Sequence, residues 1–233
     1  LWVEMMGETQ AYGSPSRAER MLGVCLIPGF SILSLSSALE PLREANRLSE
    51  RDLYGWGLFS SAGGGVSSSS GIDFPTRELT AEPLGLNAIF LCAGFNPLAD
   101  CEGLFAPLRY HVAHGSALGG ISTGADVLAA AGLLDGHRAT RHWEDAVVVQ
   151  ERFPEVDWTG NLFEIDRDRF TCSGGAATFD MMMNMIRGDH GDTLASRVAN
   201  QFQHERIRAQ TDEQTPYEQQ RLAAKSAKVM SAI

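Results

Sequence analysis

The sequence is short of positive charge, of paired cysteines and of long apolar runs, and each shortage excludes a class of function. Nineteen Lys and Arg stand against 29 Asp and Glu, a formal net charge of −10 at pH 7. No stretch gathers enough basic side chains to neutralise a row of phosphates, so this segment alone is a poor nucleic-acid binder. The four cysteines, Cys25, Cys92, Cys101 and Cys172, show no CxxC spacing. Cys25 and Cys92 sit in apolar runs where a thiol acts as a small hydrophobe, which fits a reducing cytosol and gives no sign of a metal site or other cofactor. The longest apolar runs, such as residues 125–134, are broken by Asp126 and Gly132 and fall far short of the ~20 residues of a membrane span, so no membrane partner is expected. Residues 1–20 are polar and irregular, lack the basic start, apolar stretch and cleavage site of a secretory signal, and read as a loose leader.

What the chain does have is a core and an alternation. Its 233 residues are 44% hydrophobic, enough for one large domain or two small ones. Residues 21–27 are a short apolar run closed by Pro28-Gly29, the pattern of a buried strand and turn. Residues 36–48 have helical spacing behind capping serines. Residues 54–59 and 72–74 read as a strand and hairpin separated by the triple glycine 63–65, which has no phosphate-loop lysine after it and is turn material. Residues 88–92 and 117–121 are further buried strands, each followed by helical character. Residues 162–165 and 169–172 flank a hairpin, and residues 176–186 and 192–202 are helices. This β-α-β order predicts a mostly parallel sheet with helices on both faces. Past Gln203 the pattern dissolves into a linker over 204–220, and helical character returns at 221–233. No repeat of fixed period is present.

The most informative stretch is Gly120-Ile121-Ser122-Thr123-Gly124. It follows an apolar strand and precedes a helix, which is the context of a nucleophile elbow. A sharp turn strains the central residue, and a side chain at either flanking glycine would collide with the adjoining strand or helix. Read as a hydrolase, Ser122 would be the nucleophile, His142 its base and Glu40 a third polar group. The chain order argues otherwise, because in the hydrolase fold the acid follows the nucleophile, whereas Glu40 precedes it. The bland readings are a packed His142 beside Trp143, a surface loop over 140–144, and a solvated helix end at 205–208. Met181, Met182, Met183 and Met185 read as filler of a core or an interface.

Residues 120–144, GISTGADVLAAAGLLDGHRATRHWE, resemble the class I glutamine amidotransferase-like (PfpI/ThiJ-type) domain found at the N-terminus of many AraC-family transcription regulators. Pro28-Gly29-Phe30, SALEPLREANR (37–47), LFEIDRDR (162–169), TCSGGAATFD (171–180) and FQHERIR (202–208) are similar to the same family, and the similarity extends to members that regulate quaternary-amine catabolism. The resemblance implies a three-layer, flavodoxin-like α/β effector domain over 21–203, a linker, and a helix-turn-helix DNA-binding part whose start would fall within 204–233. DNA would then be contacted only through that C-terminal part. It also implies a cytoplasmic protein that pairs as a homodimer, for which the Met-rich helix and the first helix are expected to supply apolar surface.

Enzymes of this superfamily carry a reactive cysteine at the elbow. A serine hydroxyl in its place needs a dedicated base, so Ser122 implies that catalysis has been lost and that Glu40, Ser122 and His142 are vestigial. The expected product of the loss is an effector pocket built from Phe30, Glu40, Gly94, Phe95, Asn96, Ser122, Thr123, His142, Trp143 and Glu144. Aromatic faces and carboxylates there would suit a cation, and backbone N–H groups a carboxylate. The alternatives are a serine hydrolase or amidase using Ser122 and His142, and a dimerisation module with a vestigial pocket.

Overall fold

The computed structural model describes residues 18–99 and 101–214, with the side chains of 145–147 left aside. The elements in chain order are β1 (Arg20–Leu26), α1 (Ile32–Ser49), β2 (Tyr54–Ser60), β3 (Gly64–Ser67), β4 (Asp73–Glu78), β5 (Ala88–Ala93), α2 (Glu102–Ala113), β6 (Ala117–Ser122), α3 (Gly124–Ala130), β7 (Arg138–Ala139), α4 (Ala146–Arg152), β8 (Asp157–Trp158), β9 (Phe163–Asp166), β10 (Arg169–Cys172), α5 (Ala176–His190) and α6 (Asp192–Gln201). Eight strands form one sheet in the order β3-β4-β2-β1-β5-β6-β10-β9, and β7 and β8 make a separate parallel pair. The six inner strands run parallel, while β3 and β9 pair antiparallel at the two edges. This is the three-layer α/β architecture that the alternation predicts.

The sheet divides the core in two, and the strand period decides which side chain goes where. In β5, Ala88, Phe90 and Cys92 enter one apolar cluster and Ile89, Leu91 and Ala93 the other. A strand buried on both faces must be apolar at every position, which is why this segment reads as an unbroken hydrophobic run. On one side lie α1, α5 and α6; on the other lie α2 and α3.

Helix α1 is capped by Ser31, whose side chain accepts from the Ser34 N–H at 3.3 Å. Near its end the buried Asn46 side chain donates to the Tyr54 carbonyl at 2.7 Å and accepts from the Tyr54 N–H at 2.9 Å, which fixes where β2 starts. Four methionines of α5, Met181, Met182, Met183 and Met185, are buried in the core against α1 and α6. That corrects the expectation of an interface there, because flexible thioethers fill the gap between packed helices instead of facing solvent.

Two further differences follow from local chemistry. The triple glycine is not only turn material: Gly63 and Gly64 supply the left-handed turn, and Gly64 and Gly65 pair with Thr76 and Pro75 as the first rungs of β3. Residues 204–214, read as the opening of a linker, are hydrogen-bonded into the domain, with the Leu162 N–H donating to the Asp212 carbonyl and the Gln214 N–H to the Gly160 carbonyl, both at 2.8 Å. Of the expected leader over 1–20, Arg20 instead opens β1, paired with Tyr54; residues 1–17, the rest of the expected linker and the helical start at 221–233 lie outside the described residues. Among the described residues no helix is long and apolar enough to cross a membrane.

Candidate functional site

Because β1, β5, β6 and β10 are parallel, their C-terminal ends and the starts of the helices that follow share one edge of the sheet, where open α/β folds hold ligands. The elbow stands on that edge. Ser122 has φ +58°, the strained left-handed conformation expected of its centre. A Cβ on Gly120 would lie 2.6 Å from the backbone of Ala125 in α3, and one on Gly124 would lie 2.2 Å from the Leu91 carbonyl oxygen in β5. Only glycine permits helix and strand to approach this closely. The Thr123 hydroxyl donates to the Gly94 carbonyl, tying the elbow to the turn after β5.

A cavity of about 800 Å³ opens in front of the elbow. Of the sequence-predicted residues, Gly94, Phe95, Asn96, Ser122, Thr123, His142, Trp143 and Glu144 line it together. Phe30 and Glu40 do not. The Phe30 ring is fully buried beneath the cavity edge, edge-to-face on Phe74 at 5.5 Å, because the residue before a helix cap points into the core. Glu40 lies eight residues into α1, roughly 12 Å along its axis, and its carboxylate instead accepts from Arg43 at 2.8 and 2.9 Å. Of the aromatic faces and carboxylates expected there, Phe30, Glu40, Phe95, Trp143 and Glu144, only the last three line the cavity.

The structure adds residues that the sequence reading passed over. Asp126, four residues beyond Ser122 in α3, pairs with Arg141 at 2.8 Å, and both side chains are only 5–7% exposed. Both line the cavity, as do Arg152, Arg208, Glu213 and Gln214. The expected surface loop at 140–144 is thus half interior: Thr140 and Arg141 are buried, while His142, Trp143 and Glu144 face the opening. Arg208, read as part of a solvated helix end, instead pairs with the fully buried Asp180 carboxylate at 2.7 Å.

Helices α1 and α5 both begin at the cavity, stitched by the Gly175 N–H donating to the Ser34 hydroxyl at 2.7 Å. Helix starts carry partial positive charge. The lining thus presents both signs: Arg141, Arg152, Arg208 and two helix starts against Asp126, Glu144 and Glu213.

Among the described residues Ser122 makes no hydrogen bond to His142 or to any other base. The His142 Nδ1 lies 3.8 Å from Glu144 Oε2, and the ring leans on Trp143 at 5.6 Å. Cys172 lies just below the elbow, but burial pushes its thiol up, against hydrogen bonds from Thr178 and from the backbone of Gly174 and Ser122. Burial thus works against a thiolate at this position.

No protein-family model matches the chain. A curated protein, the HTH-type transcriptional regulator CdhR of Pseudomonas aeruginosa, is 43% identical over 210 residues, which are 89% of this chain and 62% of that protein. The crystal structure of an AraC family transcriptional regulator from Pseudomonas putida superposes with TM-score 0.74 at 30% identity, covering 78% of this chain and 99% of that one. The chain belongs to the AraC family of transcriptional regulators.

It spans about three fifths of the length of the curated regulators it matches. A ThiJ/PfpI family protein from Pseudomonas syringae shares the fold at TM-score 0.71 and 18% identity, over 96% of this chain and 92% of that one. An isonitrile hydratase of Pseudomonas putida is 33% identical over 156 residues, 60% of this chain and 61% of the enzyme. This AraC-family domain therefore has the PfpI/ThiJ-type fold that the resemblance implies.

Proposed function

We propose that this AraC-family domain senses a small cytosolic metabolite in the cavity before the elbow, and that the effector is a zwitterion such as a betaine or an amino acid. The observation that carries the reading is the cavity's lining, which sets buried Arg141 and the starts of α1 and α5 beside the acids Asp126, Glu144 and Glu213. A carboxylate suits the first set. An ammonium group suits the second, with Trp143 and Phe95 offering faces to a quaternary nitrogen that has no hydrogen to donate. In the whole regulator, DNA would be contacted through the portion beyond this chain.

A thermal-shift panel of glycine betaine, carnitine, choline and L-amino acids tests the proposal. A binder at 100 times its dissociation constant stabilises by roughly 2.7 kcal/mol, which raises the melting temperature by roughly 5–10 °C for a domain of this size. No shift with any member at millimolar concentration would sink it. The similarity to the hydratase, together with the strained elbow, favours a second reading as a hydrolase or hydratase using Ser122; turnover of ester, amide or isonitrile probes that disappears in Ser122→Ala would establish that reading in its place.

Pairing of two copies is also part of the proposal, although the four methionines of α5 are buried and supply no surface for it. Light scattering at micromolar concentration should give a species of twice 25.3 kDa, and a monomer would exclude pairing through this domain.

A further inference from the structure

Residues 204–214 close one wall of the cavity, through Arg208, Glu213 and Gln214, and also lead out of the domain toward the last residues of the chain. No other stretch of the described chain does both. None of these eleven residues is fully buried, so the segment is held mainly by polar contacts, with Ile207 its one large apolar side chain laid on the core.

Two buried carboxylates and one amide make the attachment. Asp180, fully buried on α5, accepts from the Arg208 backbone N–H and Nε at 2.8 Å each and pairs with the His204 ring at 2.9 Å. Glu164, fully buried on β9, accepts from the Gln210 side chain at 2.5 Å. The Gln214 amide nitrogen donates to the Arg141 carbonyl at 2.8 Å, to the Asn161 carbonyl at 3.0 Å and to the Thr140 hydroxyl at 3.1 Å. Gln214 is thus bonded to the backbone of Arg141, the arginine that lines the cavity and pairs with Asp126.

We propose that residues 204–214 form a strap whose docking is coupled to occupancy of the cavity, so that a bound effector is read by the chain that follows Gln214. The proposal rests on the cavity being the effector site, as argued above. A group that touches Arg208, Gln214 or Arg141 binds the docked strap more tightly than the undocked one, and by linkage it shifts the strap toward docking by that same difference. The strap buries little apolar surface, so it opens locally at lower cost than an element of the core, and separation of Arg208 from the buried Asp180 sets that cost.

The test places an occupant in the cavity without needing to know the natural one. Ser122→Cys in the full chain puts a thiol on the cavity wall, while the four native thiols are buried. Iodoacetate alkylates the new thiolate, forming an S–CH2 bond as iodide leaves, and installs a carboxymethyl group. Hydrogen exchange of the Leu162, Arg208 and Gln214 amides, each bonded across the strap junction, is then compared with that of the unmodified Ser122→Cys protein. The expected result is slowing by at least about fivefold, the low end of typical couplings, and loss of that slowing when Gln214→Ala is added. Equal exchange with and without the carboxymethyl group, or slowing that survives Gln214→Ala, would overturn the strap. If a panel zwitterion raises the melting temperature but leaves strap exchange unchanged, the strap fails and the sensor reading stands. If no panel member binds while the tethered group slows exchange, the zwitterion reading fails and the coupling of strap to cavity stands.

Discussion

Gly124→Ala should destabilise the domain by at least about 3 kcal/mol and lower its melting temperature by roughly 6 °C or more. The new Cβ would lie 2.2 Å from the Leu91 carbonyl oxygen and 2.9 Å from its carbon. Both belong to the backbone of β5, a central strand paired on each side with β1 and β6, so neither can swing aside as a side-chain tip would. The helix must instead move off the sheet, which takes Thr123 from the Gly94 carbonyl and opens the cavity wall. Gly188→Ala is the matched control. It lies exposed inside α5 with open space around its Cβ position, and replacing glycine in a helix should stabilise by about 0.5–1 kcal/mol. Calorimetric melting of the two variants tests the reading. A Gly124→Ala protein that melts with the wild type would show that the close approach of α3 to β5 is not required.

That glycine was legible because its reason is local. A strand, a tight turn and a helix follow one another within a dozen residues, and the need for glycine on both sides of Ser122 can be read from the spacing alone. β1, β5 and β6 were legible for a similar reason, since a strand covered on both faces must be apolar throughout.

The charged half of the site was hidden by the same logic. Asp126 is a single polar residue in an otherwise apolar stretch, where it served only to interrupt a possible membrane span. Its partner is 15 residues away in sequence, inside a polar cluster that looks like surface. Nothing local distinguishes a buried ion pair from two solvated charges, because burial here is set by how α3 and the loop before α4 stack on the sheet.

Glu40 failed in the opposite direction. It is an acid soon after the first strand, but the cavity sits at the N-terminal end of α1, and two helical turns carry the side chain away from it. Phe30 stands at the right end of the strand yet turns inward. The strap was illegible because polar side chains attach it to carboxylates more than twenty residues distant, Asp180 and Glu164, and such pairings leave no periodic trace.

The Asp126–Arg141 pair is where stability and binding should come apart. Asp126→Ala removes one partner of an ion pair whose side chains are 5–7% exposed, and breaking such a pair typically costs about 3–5 kcal/mol. For a domain of this size that is a fall of roughly 6–20 °C in melting temperature, comparable to the loss expected from Gly124→Ala. The double replacement Asp126→Leu with Arg141→Met behaves differently, because removing both charges also removes the cost of keeping them out of water, and such swaps are often neutral or stabilising. The double variant should therefore recover most of the stability lost by Asp126→Ala. It should still fail to respond to the zwitterion that shifts the wild type, since the guanidinium offered to the effector's carboxylate is gone. Melting of both variants with and without that zwitterion separates the two roles. A double variant that is as stable as the wild type and binds with unchanged affinity would reduce the pair to a structural strut and move the carboxylate site toward Arg152 and Arg208. A double variant as unstable as Asp126→Ala would instead mean that the shape of the pair, and not its charge balance, holds α3 against the loop.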